Sequence, residues 1–162
     1  MRLNNKIAMV VGAGQTPGLT IGNGRATALL FAREGAQVLA VDRDIDSAQE
    51  TVELIQHEGG QGEAVAADVV DEASLEAAVK HCKEHLGRLD ILHNNVGISV
   101  TGGDAPVTEI STEAFDRIIA VNLRGVVLAC KHALPVMRAQ GSGTIITISS
   151  RSEEHTSELQ SQ

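Results

Sequence analysis

The feature that most restricts this chain is a junction. The apolar run Lys6 to Val11 ends directly on Gly12, and Gly14, Gly18, Gly22 and Gly24 follow before a helical pattern opens at Arg25. The run carries β-branched residues and reads as a buried strand, whereas Ala26, Leu29, Leu30 and Arg33 recur at helical spacing until Gly35 stops them. Strand, glycine turn and helix in that order can hold a diphosphate. The turn leaves the strand sharply, the backbone approaches the ligand closely, and the helix start points at it. Two registers are open. Gly12, Gly14, Gly22 and Gly24 serve if the segment between them loops out, while Gly18, Gly22 and Gly24 form a literal GxxxGxG. Gly12 takes the first role because it directly follows the strand, and Gly18 lies too far from Val11 to make that turn. Residues within Gln15 to Ile21 then become an insertion bent at Pro17 and Gly18.

The same alternation continues along the chain. Ala36 to Asp42 reads as a second strand and Asp46 to Glu58 as a helix with Ala48, Val52 and Ile55 on one face, ended by Gly59 and Gly60. Gly62 to Val69 is a third strand, and Asp71 caps a helix that runs to Leu86 and closes at Gly87. Asp90 to Gly97 is a fourth strand. Ser111 caps a long segment from Thr112 to Ala139, interrupted by Gly125 and Pro135, and Thr144 to Ser150 is a fifth strand. Strands apolar on both faces between helices imply an α/β Rossmann-like doubly wound parallel sheet. Strands one and four should then lie side by side, with a crevice at their carboxyl ends.

Composition narrows the function classes. The formal charge is −8, there is no basic run, and the only aromatics are two Phe, so nucleic acid is not an expected partner. No stretch reads as long enough to span a membrane, and the apolar start is too short for a signal sequence. Cys82 and Cys130 sit in separate helical patterns with no pairing logic, which fits a cytoplasmic protein. Asp42, at the end of the second strand, is placed to accept both ribose hydroxyls of an adenosine and to repel a phosphate there. NAD is therefore expected over NADP, although the adjacent Arg43 offers a phosphate contact.

The polarity changes abruptly after Ser150. Arg151 to Ser161 matches, in frame, the translation of a common sequencing adapter, so residues 1–150 are expected to form one dinucleotide-binding domain and 151–162 a non-native tail.

From Lys6 to Ser150 the chain resembles the short-chain dehydrogenase/reductase family. Asn94 to Gly97, "NNVG", resembles the family's NNAG segment. Asp68 and Val69 resemble its adenine-contacting pair, Val121 to Gly125 the helix segment bearing the tetrad asparagine, and "ITISS" the strand bearing the catalytic serine. The resemblance implies an oxidoreductase interconverting a secondary alcohol and a ketone, commonly a homodimer or homotetramer built through the long helix. It also implies that Asn122 holds a water in a proton relay and that Ser150 hydrogen-bonds the reacting oxygen. Cofactor contacts fall on Gly12, Gly14, Gly22, Gly24, Asp42, Asp68, Val69, Asn94 and Gly97, with no metal. For Asn94 and Asn95 a bracing role is equally open, because buried amides require partners.

Two departures stand out. Val11 replaces the threonine that usually precedes the first glycine, and the first loop is longer than the family norm, as in the enoyl reductase branch. That branch is one alternative, though it generally lacks the NNAG-like segment. A nucleotide-binding redox sensor without chemistry is another. The family's proton-accepting tyrosine and its lysine would follow Ser150. The chain contains no tyrosine, so it is expected to be inactive by itself. His81, Cys82 and His85 read as a solvated helix face, and His93 as a satisfied buried histidine.

Overall fold

The computed structural model describes residues 1–15, 18 and 20–149. Five strands, β1 (Ile7–Val11), β2 (Gln37–Asp42), β3 (Gln61–Ala66), β4 (Ile91–Asn94) and β5 (Thr144–Thr147), alternate with helices α1 (Asn23–Arg33), α2 (Ile45–His57), α3 (Glu72–Leu86), α4 (Thr112–Ile119) and α5 (Gly125–Ala139). The sheet order is β3-β2-β1-β4-β5, and every pairing is parallel. The Rossmann-like doubly wound sheet is therefore present, with β1 beside β4 and the reversal of strand order between them.

Each face of the sheet carries its own core. Met9, Val11, Leu39, Val41 and Leu92 pack with Leu75, Val79 and Cys82 of α3 and Ala129, Ala133 and Met137 of α5. Val10, Val38 and Ala40 point the other way and pack with Ala28 and Leu29 of α1 and Ala48, Val52 and Ile55 of α2. Such alternation is what a strand buried on both sides requires, and each fully buried Leu or Ile contributes roughly 1.5–3 kcal/mol. Asp71 and Ser111 cap α3 and α4 as expected, their side chains accepting from Ala73 N and Ala114 N at 3.0 and 3.1 Å.

At the amino end of the sheet, Asp90 is 5% exposed. Its carboxylate accepts from Ile7 N at 2.9 Å and from Arg88 Nε and Nη2 at 2.7 and 2.6 Å. Burial pushes its carboxyl upward, but the bonds from Arg88 and Ile7 and the charges of Arg88 and Lys6 hold it below the usual value.

Three expectations need correction. Strands β3 and β4 end at Ala66 and Asn94 rather than Val69 and Gly97. Their last partners, Asp42 and Val11, are the last strand residues of β2 and β1. Neither Gly125 nor Pro135 breaks the long helix. A π-helical stretch, Ala120–Arg124, joins α4 to α5, and Pro135 lies inside α5. Thr112–Ala139 is thus one helix of 28 residues, long and apolar enough by length and composition to cross a membrane, against the expectation that no stretch would be. Ser150 and the tail lie outside the described residues.

Candidate functional site: a glycine loop at the carboxyl ends of the strands

The chain leaves β1 by a sharp turn. Gly12 has φ +83°, a conformation that disfavours a side chain, and a Cβ there would come within 2.8 Å of Val96 Cγ2. The N–H groups of Gly12 and Ala13 both donate to Val41 O, at 2.8 and 3.0 Å, which locks the turn to β2. Gly24 is required for a different reason: a Cβ on it would overlap the Gly12 carbonyl oxygen, so its absence lets α1 start directly against the turn. Gly22 precedes α1, and among the described residues the nearest atoms to its Cβ position are Gln15 Oε1 and Gly14 O, at 3.6 and 3.9 Å.

The first intrahelical bond of α1 runs from Ala26 N to Gly22 O at 2.9 Å. The N–H groups of Asn23, Gly24 and Arg25 precede it and form the positive end of the helix dipole.

Side chains from β2 and α2 hold the loop from below. Asp42 Oδ2 accepts from Gly14 N at 2.9 Å, and Ser47 Oγ accepts from Gln15 N at 2.7 Å. Thr51 Oγ1 donates to Ala13 O at 2.7 Å. Arg25, 9% exposed, turns away from the loop: Nε donates to Thr51 Oγ1 at 2.9 Å, and Nη2 donates to Ser47 O at 3.0 Å and Glu50 Oε2 at 2.9 Å. An anion over the loop would therefore meet backbone amides rather than this guanidinium. Ser47, Thr51 and Arg25 support the candidate loop, and sequence reasoning missed them. Thr51, a hydroxyl on the inward face of α2 between Ala48 and Ile55, was the available signal.

The two asparagines after His93 divide their duties. Asn95 Nδ2 donates to Gly12 O at 3.3 Å and so ties β4 to the glycine turn. Asn94 is 4% exposed and points to the opposite face, its Nδ2 reaching Cys130 Sγ at 3.9 Å and Thr147 Oγ1 at 3.5 Å. The side chain of Asn94 is thus a brace between β4, α5 and β5, the bracing role that was open beside cofactor contact. Strand parity explains it: Asn94 shares a face with Leu92, which is part of the α3 and α5 core.

Asp68 and Val69 follow β3 on the same end of the sheet. Asp68 Oδ1 accepts from Val70 N at 3.0 Å, and its own N–H donates to Ser74 Oγ at 3.0 Å. The Val69 side chain is buried in the core and packs on Gly125, where a Cβ would lie 2.8 Å from Val69 Cβ. Only the backbone of Val69 can face a ligand. Gly97 is exposed, with Asn122 Oδ1 at 3.8 Å from its Cβ position. Asn122, within the π-helical stretch, grips the backbone of Ile98 at both ends: Oδ1 accepts from Ile98 N at 2.8 Å, and Nδ2 donates to Ile98 O at 2.7 Å. It fixes the strand-to-loop segment that follows β4.

Other candidates carry less. His93 is 4% exposed and meets Phe31 edge-on at 6.0 Å, on the α1 side of the sheet rather than in the crevice. Its Nδ1 has no partner among the described residues, so the expected satisfaction is incomplete. Burial lowers its pKa. His81 pairs with Glu63 at 2.9 Å and stacks on His85 at 4.2 Å. Among the described residues no group of three or more His, Cys, Asp or Glu side chains is disposed to hold a metal ion. Cys82 is buried, and desolvation, then Asp90 and Glu63, push its thiol up to about 12.

The profile of the short chain dehydrogenase family matches residues 6–162. The chain belongs to the short-chain dehydrogenase family. It is 44% identical over 151 residues to an uncharacterized oxidoreductase, YxbG, of Bacillus subtilis, covering 93% of this chain and 52% of that protein. To galactitol 2-dehydrogenase of Agrobacterium fabrum it is 39% identical over 153 residues, covering 93% and 55% of the two chains. A solved 7α-hydroxysteroid dehydrogenase, complexed with NADH and 7-oxo glycochenodeoxycholic acid, superposes with a TM-score of 0.84 at 34% identity, covering 94% of this chain and 56% of that one. The chain therefore spans about half the length of the relatives it matches. Short-chain dehydrogenases are oxidoreductases that bind NAD(P) and act on small molecules.

Proposed function

We propose that the complete protein is an NAD-dependent oxidoreductase that interconverts a secondary alcohol and a ketone, and that residues 1–150 supply its dinucleotide-binding part. The observation that carries the reading is the closure of Gly24 onto Gly12, which sets the free amides of α1 beside the carboxyl end of β1 while Asp42 faces the same loop. The donor set fits a dinucleotide. Gly12, Gly14, Gly22 and Gly24 let the backbone of the loop pack closely, so that the N–H groups of Asn23, Gly24 and Arg25 meet the diphosphate, and the start of α1 favours its negative charge. Asp42, with Oδ1 and Oδ2 already oriented by Asp44 N and Gly14 N at 3.1 and 2.9 Å, accepts from the adenosine ribose. A carboxylate in that place disfavours a ribose phosphate, so NAD is preferred to NADP. Asp68 and the backbone of Val69 take the adenine edge, and exposed Gly97 leaves room for the nicotinamide end. NAD, when bound, supplies the hydride acceptor.

Asn122 holds Ile98 and, through it, the floor beside Gly97, with the remaining hydrogen-bonding capacity of its amide available to a relay water. Ser150, outside the described residues, hydrogen-bonds the reacting oxygen. The sequence holds no tyrosine to accept the proton, so the 162-residue chain binds dinucleotide with negligible turnover.

Phe115, Ile119, Leu123 and Val127, exposed by 52, 39, 57 and 55%, form one stripe along the long helix. A second copy covers it in a homodimer or homotetramer. Lipid is a poor alternative because Arg124 and Lys131 interrupt the same span. The protein works in the cytoplasm. Calorimetric comparison of NADH with NADPH tests the site. NADH should bind at least about tenfold more tightly, and Asp42→Ala should erase the preference. Equal affinity in the parent chain contradicts the assignment of Asp42, and robust oxidation of secondary alcohols by the 162-residue chain contradicts the assignment of the proton acceptor.

A further inference from the structure

Residues 16–21 separate Gln15 from Gly22, and without them the loop would read Gly12-Ala13-Gly14-Gln15-Gly22-Asn23-Gly24, a GxxxGxG spacing. An insertion in the middle of an anion cradle costs loop entropy and loosens the relative placement of the two ends. Here those ends are joined by one side chain. The Gln15 carboxamide donates from Nε2 to Thr20 O at 2.9 Å and accepts at Oε1 from Gly22 N at 2.8 Å. Its own backbone is fixed from α2, since Gln15 N donates to Ser47 Oγ at 2.7 Å.

We infer that Gln15 is a positioning residue that clasps the neck of the insertion, so that Gly22, Asn23 and Gly24 stand against Gly12 as they would in an uninterrupted loop. The inference rests on the reading of this loop as a diphosphate site. Only a carboxamide of this length satisfies both partners, because one bond needs a donor and the other an acceptor on the same planar group. A carboxylate would keep the bond to Gly22 and lose the one to Thr20, while placing negative charge beside a phosphate.

The clasp acts on the diphosphate and not on the nucleoside. Ligands that share the ribose and base but differ in phosphate therefore separate it from general structural support. We would titrate the 162-residue chain with NADH, ADP-ribose and adenosine, in the parent and in Gln15→Ala, with and without deletion of residues 16–21. Gln15→Ala should weaken NADH and ADP-ribose about tenfold and adenosine by less than about twofold. In the shortened chain, where no neck remains to close, the same substitution should change NADH affinity by less than about twofold.

An unchanged affinity for both diphosphate ligands, an equal loss for adenosine, or the same tenfold cost in the shortened chain overturns the inference. If the shortened chain does not fold, hydrogen exchange at the Gly22 amide decides. It should accelerate at least about tenfold in Gln15→Ala while the β1 amides keep their rates, and an unaltered Gly22 rate overturns the clasp. If the parent chain binds neither NADH nor ADP-ribose, the diphosphate reading itself fails, an outcome distinct from a parent that binds and a variant that matches it.

Discussion

From β1 to α2, Ala13, Gly14 and Gln15 each have a backbone group bonded to a side chain of β2 or α2, and Arg25, though buried, spends its donors on Thr51, Ser47 and Glu50. From α4 to β5 the balance is reversed. Phe115, Leu123, Val127, Ile146 and Ile148 are exposed by 52, 57, 55, 37 and 45%. The first region satisfies its polar groups internally and presents amides to a ligand. The second presents apolar surface that only another polypeptide surface covers well. On the proposed reading, binding and association reside in different parts of one sheet, and substitutions should separate them.

Gly24→Ala should break the first region most severely. Its Cβ would overlap Gly12 O, which is backbone and cannot yield without moving α1 off the turn. A loss of about 3 kcal/mol in urea unfolding is expected, together with loss of NADH binding. A variant of unchanged stability that still binds would mean the helix start is not packed as described.

Asp90→Asn tests the tie beneath both regions, since it removes the charge that Arg88 and Lys6 face. It should cost about 2 kcal/mol at neutral pH. The folded carboxyl lies below its ordinary value, so the parent carries this stability above the unfolded pKa, near 3.9, and loses it as the pH falls through the folded one. Urea titrations at pH 7 and pH 3 should therefore differ less in the variant than in the parent.

Thr51→Val sharpens the contrast more gently. It removes the donor to Ala13 O and the acceptor for Arg25 Nε, an expected loss of about 1 kcal/mol in urea unfolding with weakened NADH binding. Leu123→Glu should do the opposite. Stability should stay within about 0.5 kcal/mol and NADH binding should persist, while sedimentation reports less self-association. If Leu123→Glu abolished NADH binding, the two regions would not be independent.

The fold was legible because apolar runs and helical stripes alternate from Lys6 to Thr147, and because a parallel strand buried on both faces leaves no polar alternation to confuse it. The turn at Gly12 and the caps at Asp71 and Ser111 were readable from residue type alone. What escaped were long-range commitments. Thr51 and Ser47 look like ordinary helix residues until α2 is laid under the glycine loop. Asn94 and Asn95 are identical in sequence and differ only in which face of the sheet they leave by. Gly125 and Pro135 suggested breaks, yet the helix runs on because the π-helical turn at Ala120–Arg124 absorbs the change and Pro135 is carried inside α5. Arg43 beside Asp42 could not be weighed from sequence, whereas in the fold it is exposed and Asp42 is fixed to the loop.

On the proposed reading, the amides of Asn23, Gly24 and Arg25 at the start of α1 receive the diphosphate of a dinucleotide while Asp42 holds its ribose. Titrating NADH into the ¹⁵N-labelled chain and following amide chemical shifts tests it most directly. Shifts concentrated at Gly12, Gly14, Gly22 to Arg25, Asp42 and Val69, with little change along α4 and α5, are the predicted result. Saturable shifts centred elsewhere, or none at NADH concentrations that saturate related dehydrogenases, would contradict it.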